Sequence, residues 1–198
     1  NSNGGSDYWI IKTDNLGNIQ WQNTIGGAGG DYLFSIAQTS DGGYILGGYS
    51  ASDISGDKTE NSNGDIDYWI VKTDGSGIIQ WQNTIGGIGN DVLNSIAQTS
   101  DGGYILGGSS YSNISGDKTE NNIGGNDYWI VKTDGSGIIQ WQNSIGGDFE
   151  EELSSITQTS DGGYILGGSS NSPISGDKTE NNNGGNDYWI VKTNSQGD

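Results

Sequence analysis

The stretch Asp67-Tyr68-Trp69-Ile70-Val71-Lys72-Thr73-Asp74-Gly75-Ser76-Gly77-Ile78-Ile79-Gln80-Trp81 decides how this chain folds. Tyr68 to Thr73 is dense in aromatic and β-branched residues, which favour a pleated strand. Trp69, Val71 and Thr73 fall on one face; Tyr68, Ile70 and Lys72 fall on the other. Asp74-Gly75-Ser76-Gly77 is a turn, because Gly supplies positive φ and Asp bonds its own backbone. From Ile79 to Ile85 the alternation resumes, with Ile79, Trp81 and Ile85 opposite Gln80, Gln82 and Thr84.

Beyond this hairpin, Gly86-Gly87 breaks the pattern. Val92 to Thr99 predicts a third strand, and the three-residue spacing of Leu93 and Ile96 predicts a bulge in it. Ser100-Asp101-Gly102-Gly103 is a second turn signal. Tyr104-Ile105-Leu106-Gly107-Gly108 is a fourth strand whose glycines suit close approach of another backbone. Ser109 to Asn126 is a long polar connector. No segment has a capped 3.6-residue period, so helix content near zero is expected.

These words recur every sixty residues, as Asp7-Tyr8-Trp9-Ile10, Asp67-Tyr68-Trp69-Ile70, Asp127-Tyr128-Trp129-Ile130 and Asp187-Tyr188-Trp189-Ile190. The chain therefore reads as a single repeat domain, 1–198, with units 1–60, 61–120 and 121–180 and a partial unit 181–198. A unit of this length cannot bury its apolar face alone and must stack on its neighbours. Four short antiparallel strands per unit predict an all-β fold of four-stranded β-propeller blades. The chain is too short for most closed rings, so an arc of a larger ring, or of one completed by other chains, is expected. A parallel β-solenoid is the rival architecture.

Gly103-Tyr104-Ile105-Leu106-Gly107-Gly108 resembles the inner-strand signature of kelch propellers. Asp74 to Trp81 resembles the Asp-turn-Gly-to-Trp hairpin of quinoprotein-type propellers, one residue shorter than usual. That second resemblance implies that Trp21, Trp81 and Trp141 dock one blade on the next. The kelch resemblance implies an innermost glycine-rich strand and complete blades at 43–99 and 103–159. The whole unit is similar to propeller repeats of secreted and surface proteins of the Bacteroidetes, which implies residence outside the bacterial cell and no defined activity.

The bulk composition narrows the function. Net charge is −18, with no arginine or histidine, and duplex nucleic acid or an anionic membrane surface needs clustered basic residues. No apolar run approaches the ~18 residues of a membrane span. Cysteine is absent, so disulfides and thiolate chemistry are excluded. Without histidine or cysteine, Ser-His-Asp and Cys-His catalysis fall away too. Methionine is also absent, and Asn1 to Gly5 matches the later linkers, so a piece of a longer processed protein is expected.

Two sets of residues are candidates for more than packing. In the connectors, Asp57, Glu60 and Asp67, with equivalents Asp117, Glu120 and Asp127, then Asp177, Glu180 and Asp187, carry the oxygen chemistry that calcium requires. Their order departs from the EF-hand string. The competing reading has these acids solvated, paired with lysine, or capping the turn before each strand. The second set is aromatic: Trp9, Trp69, Trp129 and Trp189 on one strand, Trp21, Trp81 and Trp141 on its partner. Buried, they dock blades; exposed, they would stack on sugars. Unit three departs from the pattern at Asp148-Phe149-Glu150-Glu151-Glu152, a solvated or binding loop. Two functions follow: a non-enzymatic extracellular spacer or adhesion platform, its partners neighbouring repeats or other copies, or a carbohydrate-binding propeller.

Overall fold

The computed structural model describes residues 2–198. Thirteen strands form four antiparallel sheets. β1 (Tyr8–Thr13) and β2 (Ile19–Ile25) make the first. β3 (Asp31–Gln38), β4 (Tyr44–Ser50), β5 (Asp67–Thr73) and β6 (Ile79–Ile85) make the second. β7 (Asp91–Gln98), β8 (Tyr104–Ser110), β9 (Asp127–Thr133) and β10 (Ile139–Ile145) make the third. β11 (Glu151–Gln158), β12 (Tyr164–Ser170) and β13 (Asp187–Thr193) make the last. The described residues contain no helix. This is an open arc of blade-like sheets, and antiparallel pairing of the strands within every sheet excludes the solenoid.

The turns form as their residues dictate. Asp74 Oδ1 accepts the amides of Ser76 and Ile78, and Gly77 takes a φ of 81°. Asp101 Oδ1 accepts the Gly103 amide, and Gly102 has a φ of 87°. The expected bulge lies between Leu93 and Ser95, with equivalents in β3 and β11.

The phase of the blades differs from the expectation drawn from the kelch resemblance. Complete sheets run from β3 to β6 and from β7 to β10, so the blades are 31–85 and 91–145 rather than 43–99 and 103–159. The first strands β3, β7 and β11 lie against one another, and the sheets fan outward from them. The glycine-rich strand is thus second, not innermost. The long connector joins the second and third strands of one sheet, and the crossing between sheets falls at Gly86-Gly87 and its equivalents.

The glycine pair has a packing reason. A Cβ on Gly107 would sit 2.8 Å from Ile156 Cγ2 and 2.9 Å from Leu153 Cδ2 of the next sheet. One on Gly108 would meet the Val92 carbonyl oxygen and the Tyr68 hydroxyl. Gly167, the same position on β12, has nothing within 4 Å. Gly107→Ala is therefore expected to cost about 1–3 kcal/mol by overpacking, and Gly167→Ala less than ~1 kcal/mol. Urea denaturation of both variants checks this; equal losses would show that the glycines act through backbone freedom alone.

Candidate functional site

The tryptophans divide by position in the stack. Trp69 and Trp129 are fully buried, each against a tyrosine of the preceding sheet. The Tyr8–Trp69 and Tyr68–Trp129 ring centroids are both 4.9 Å apart. Tyr8 Oη donates to the Trp69 carbonyl at 2.9 Å, and Tyr68 Oη donates to that of Trp129 at 3.0 Å. Trp189 is half-buried, 5.0 Å from Tyr128. Trp9 is 62% exposed, because no described sheet covers its face of β1.

The partner set, Trp21, Trp81 and Trp141, is half-buried and closes over hairpins of the following sheet. Cβ positions built on Gly77, Gly137 and Gly197 fall within 2.8 Å of these indoles. Asn23, Asn83 and Asn143 latch the same hairpins, donating to the carbonyls of Gly77, Gly137 and Gly197 at 2.7, 2.7 and 2.8 Å. Sequence reasoning passed over these asparagines, whose signal was their recurrence two residues after each tryptophan. Trp129→Ala is expected to cost about 3–5 kcal/mol and Trp9→Ala under ~1 kcal/mol, read by denaturant midpoints.

The connector acids turn toward the protein's own backbone. Asp57 Oδ2 accepts the Gly26 amide at 3.2 Å, and Glu60 Oε2 accepts the Thr84 amide at 2.7 Å. Asp67 Oδ2 accepts the Asn63 amide at 2.6 Å, holding the turn before β5. In the next unit Asp117 accepts from Gly86, Glu120 from Ser144 and Asp127 from Ile123. Further on, Asp177 accepts from Gly146 and Asp187 from Asn183, while Glu180 is exposed. Among the described residues no group of three or more acids gathers as a metal site. The lysine of each connector is buried instead. Lys58 Nζ donates to Thr84 Oγ1 at 2.7 Å, and Lys118 Nζ lies 5.0 Å from the Trp129 ring centroid.

Asp67 and Asp127 are fully buried, each with one carboxylate oxygen lacking a partner. Burial lifts Asp67 to about 6, and the nearby Asp91 carboxylate adds to the rise. Burial lifts Asp127 to about 7, reinforced by charge and hydrogen bonding from Glu151. A folded-state pKa above the unfolded value of ~3.9 stabilises fully below that value and is lost as pH rises through the folded pKa. Stability should therefore fall between pH ~4.5 and ~7.5, by on the order of 2 kcal/mol per group. Urea midpoints across that range check the sign. Asp67→Asn with Asp127→Asn should flatten the profile, and a rise with pH would contradict the assignment.

A cleft of about 280 Å³ opens between the third and fourth sheets, lined by Val92, Asn94, Ser109, Tyr111, Asn126 and Glu152. Asn94 is the bulge residue of β7, and the bulge aims it across the junction, where Nδ2 donates to the Leu153 carbonyl at 2.8 Å. Ser109 Oγ accepts the Leu153 amide at 3.1 Å. Tyr111 Oη donates to Glu150 Oε2 at 2.9 Å, and that carboxylate also accepts the Asn126 amide at 3.3 Å. The divergent acidic run of unit three therefore borders the cleft through Glu152 and braces its wall through Glu150.

Every lining residue stands where the units differ. The position of Val92 holds Tyr32 and Glu152; that of Asn94 holds Phe34 and Ser154; that of Tyr111 holds Ala51 and Asn171. Interleaved residues such as Leu93, Ser95, Ile96 and Gly108 are the same in all three units. At the preceding junction the equivalent space is aromatic: Tyr49 packs on Tyr32 at 5.0 Å and on Phe34 at 5.6 Å.

No protein-family model matches this chain, and no curated protein matches it. Among solved structures it is similar to a protein of unknown function from Bacteroides caccae, with 9% identity and a TM-score of 0.48. That match covers 86% of this chain and 56% of the other, so the chain spans just over half of its length.

Proposed function

We propose that this chain is a non-enzymatic interaction module, a stiff arc that holds a variable rim in fixed geometry on the outside of a bacterial cell. The observation that carries the reading is the division between scaffold and rim. The tyrosine–tryptophan pairs and the asparagine latches that follow Trp21, Trp81 and Trp141 repeat unchanged, whereas residues at the junction cleft change from unit to unit. A scaffold kept constant under a changing surface is what a binding platform requires, since function resides in sites carried on a fold. Likeness of the sixty-residue unit to repeats of secreted and surface proteins of the Bacteroidetes supports an extracellular location. The excess of negative charge favours solubility at high local density and disfavours nucleic acid.

Calcium has no necessary part in this reading, because the connector acids accept backbone amides. Chelator is expected to leave the thermal midpoint unchanged; a fall of several degrees would assign the connectors a calcium-ordering role. The platform reading is tested with antibody against the chain on intact, unpermeabilised cells and with chain-coated beads on immobilised extracellular polymer. Surface labelling and bead retention are expected. Labelling only after permeabilisation would overturn it.

A further inference from the structure

We propose that the cleft between the third and fourth sheets is a binding site for one unit of a neutral saccharide. The inference rests on the reading of the chain as an interaction module and names the ligand class of one site on it.

The chemistry of the lining selects the ligand. Tyr111 is 53% exposed, so its ring presents a face to solvent while its hydroxyl is tied to Glu150. An aromatic face anchored in this way covers the C–H face of a sugar ring with little side-chain entropy left to lose. Around it stand groups with hydrogen-bonding capacity to spare. Asn94 uses Nδ2 on Leu153 and keeps its carbonyl oxygen. Ser109 accepts from Leu153 and keeps its O–H to donate. Asn126 is 5% exposed, and its side-chain oxygen has no partner. Glu152 is exposed, and its carboxylate enters no hydrogen bond or ion pair among the described residues. Spare acceptors and donors beside one aromatic face suit a ligand that is mostly hydroxyl, since each hydroxyl both donates and accepts.

Charge separates this ligand from its rivals. No lysine lines the cleft, and Glu150 and Glu152 would repel phosphate, sulfate or carboxylate. For a cationic ligand the one uncommitted carboxylate is Glu152, and an ion pair at so exposed a position contributes little. The uncharged groups outnumber it and are the better buried. The cleft, at about 280 Å³, is at the lower end of ligand sites and has room for one sugar ring rather than a chain. Affinity on the order of millimolar follows for so small a ligand, as expected of a repeat module that gains strength by multivalency.

The molecule contains its own control. At the preceding junction the equivalents of Asn94 and Ser109 are Phe34 and Tyr49, whose rings stack on each other at 5.6 Å. Asn94→Phe with Ser109→Tyr therefore transplants a pair of residues that this fold already carries, and should close the cleft. Tyr111→Ala installs the residue of the first unit, Ala51, and removes the stacking face.

The experiment is saturation-transfer difference NMR on the whole chain. Glucose, galactose, mannose and N-acetylglucosamine are the neutral probes, with lysine amide and spermidine as the cationic comparison. Transfer to at least one neutral sugar is expected, abolished in Asn94→Phe/Ser109→Tyr and weakened roughly fivefold or more in Tyr111→Ala. Circular dichroism and the thermal midpoint establish that each variant is folded; if the double variant is not, Tyr111→Ala carries the test. No transfer to any sugar, transfer unchanged in the folded variants, or transfer to the cations alone would overturn the site. Any of these alongside retained surface labelling and bead adhesion would remove the saccharide site and leave the platform reading intact.

Discussion

One contact fastens each sheet to the next: a tyrosine whose ring lies on the following sheet's tryptophan and whose hydroxyl bonds that tryptophan's carbonyl. It occurs as Tyr8 on Trp69, Tyr68 on Trp129 and Tyr128 on Trp189. The ring supplies the apolar area, and the hydrogen bond fixes the register of one sheet on another. Satisfying a buried hydroxyl contributes about 1 kcal/mol, and leaving it unmade would cost more. Ion pairs contribute less. Lys72 and Asp41 approach to 2.8 Å, but Asp41 is 56% exposed, and such a pair stabilises by no more than about 1 kcal/mol. Aromatic burial holds the arc; charge decorates it.

That contact constrains much of what surrounds it. For the tyrosine to reach across, the facing strand must be flat, and Gly48, Gly108 and Gly168 supply the flatness beneath the hydroxyl. With the centre of each junction filled by rings and glycines, polar groups are pressed to its ends. There the buried acids hold turns through backbone amides, and the buried Lys58 and Lys118 find hydroxyls. The same geometry leaves a gap at one end of the junction between the inner strands. Stacked rings border it once, and a bulge residue, a serine and a tyrosine frame it the next time.

Much of the architecture was legible from local pattern. The alternation of Ile79, Trp81 and Ile85 marks a strand wherever it occurs, and Leu93 with Ile96 marks the bulge. The phase of the blades was not legible, because a sixty-residue word reads the same from any starting point. Nothing in Gly86-Gly87 announces that the crossing between sheets lies there rather than in the longer connector. The connector acids were open to two readings for a related reason. Asp, Glu and Asn in a glycine-broken loop have the composition of a cation site, and only geometry reveals that one oxygen of most of these acids accepts a backbone amide. The cleft stayed hidden because Asn94, Tyr111, Asn126 and Glu152 are far apart in the chain, although each departure from the repeat was visible.

Taken alone, the sequence determined the secondary structure, the repeat and the need to stack, since these depend on neighbours a few residues away and on the period of apolar side chains. The tertiary structure decided which strand lies innermost, which indoles are buried, what the buried carboxylates bond and where the divergent residues meet. Those outcomes depend on contacts between residues about sixty positions apart, as between Tyr68 and Trp129. A repeated word cannot specify such partners until the chain has folded one copy against the next.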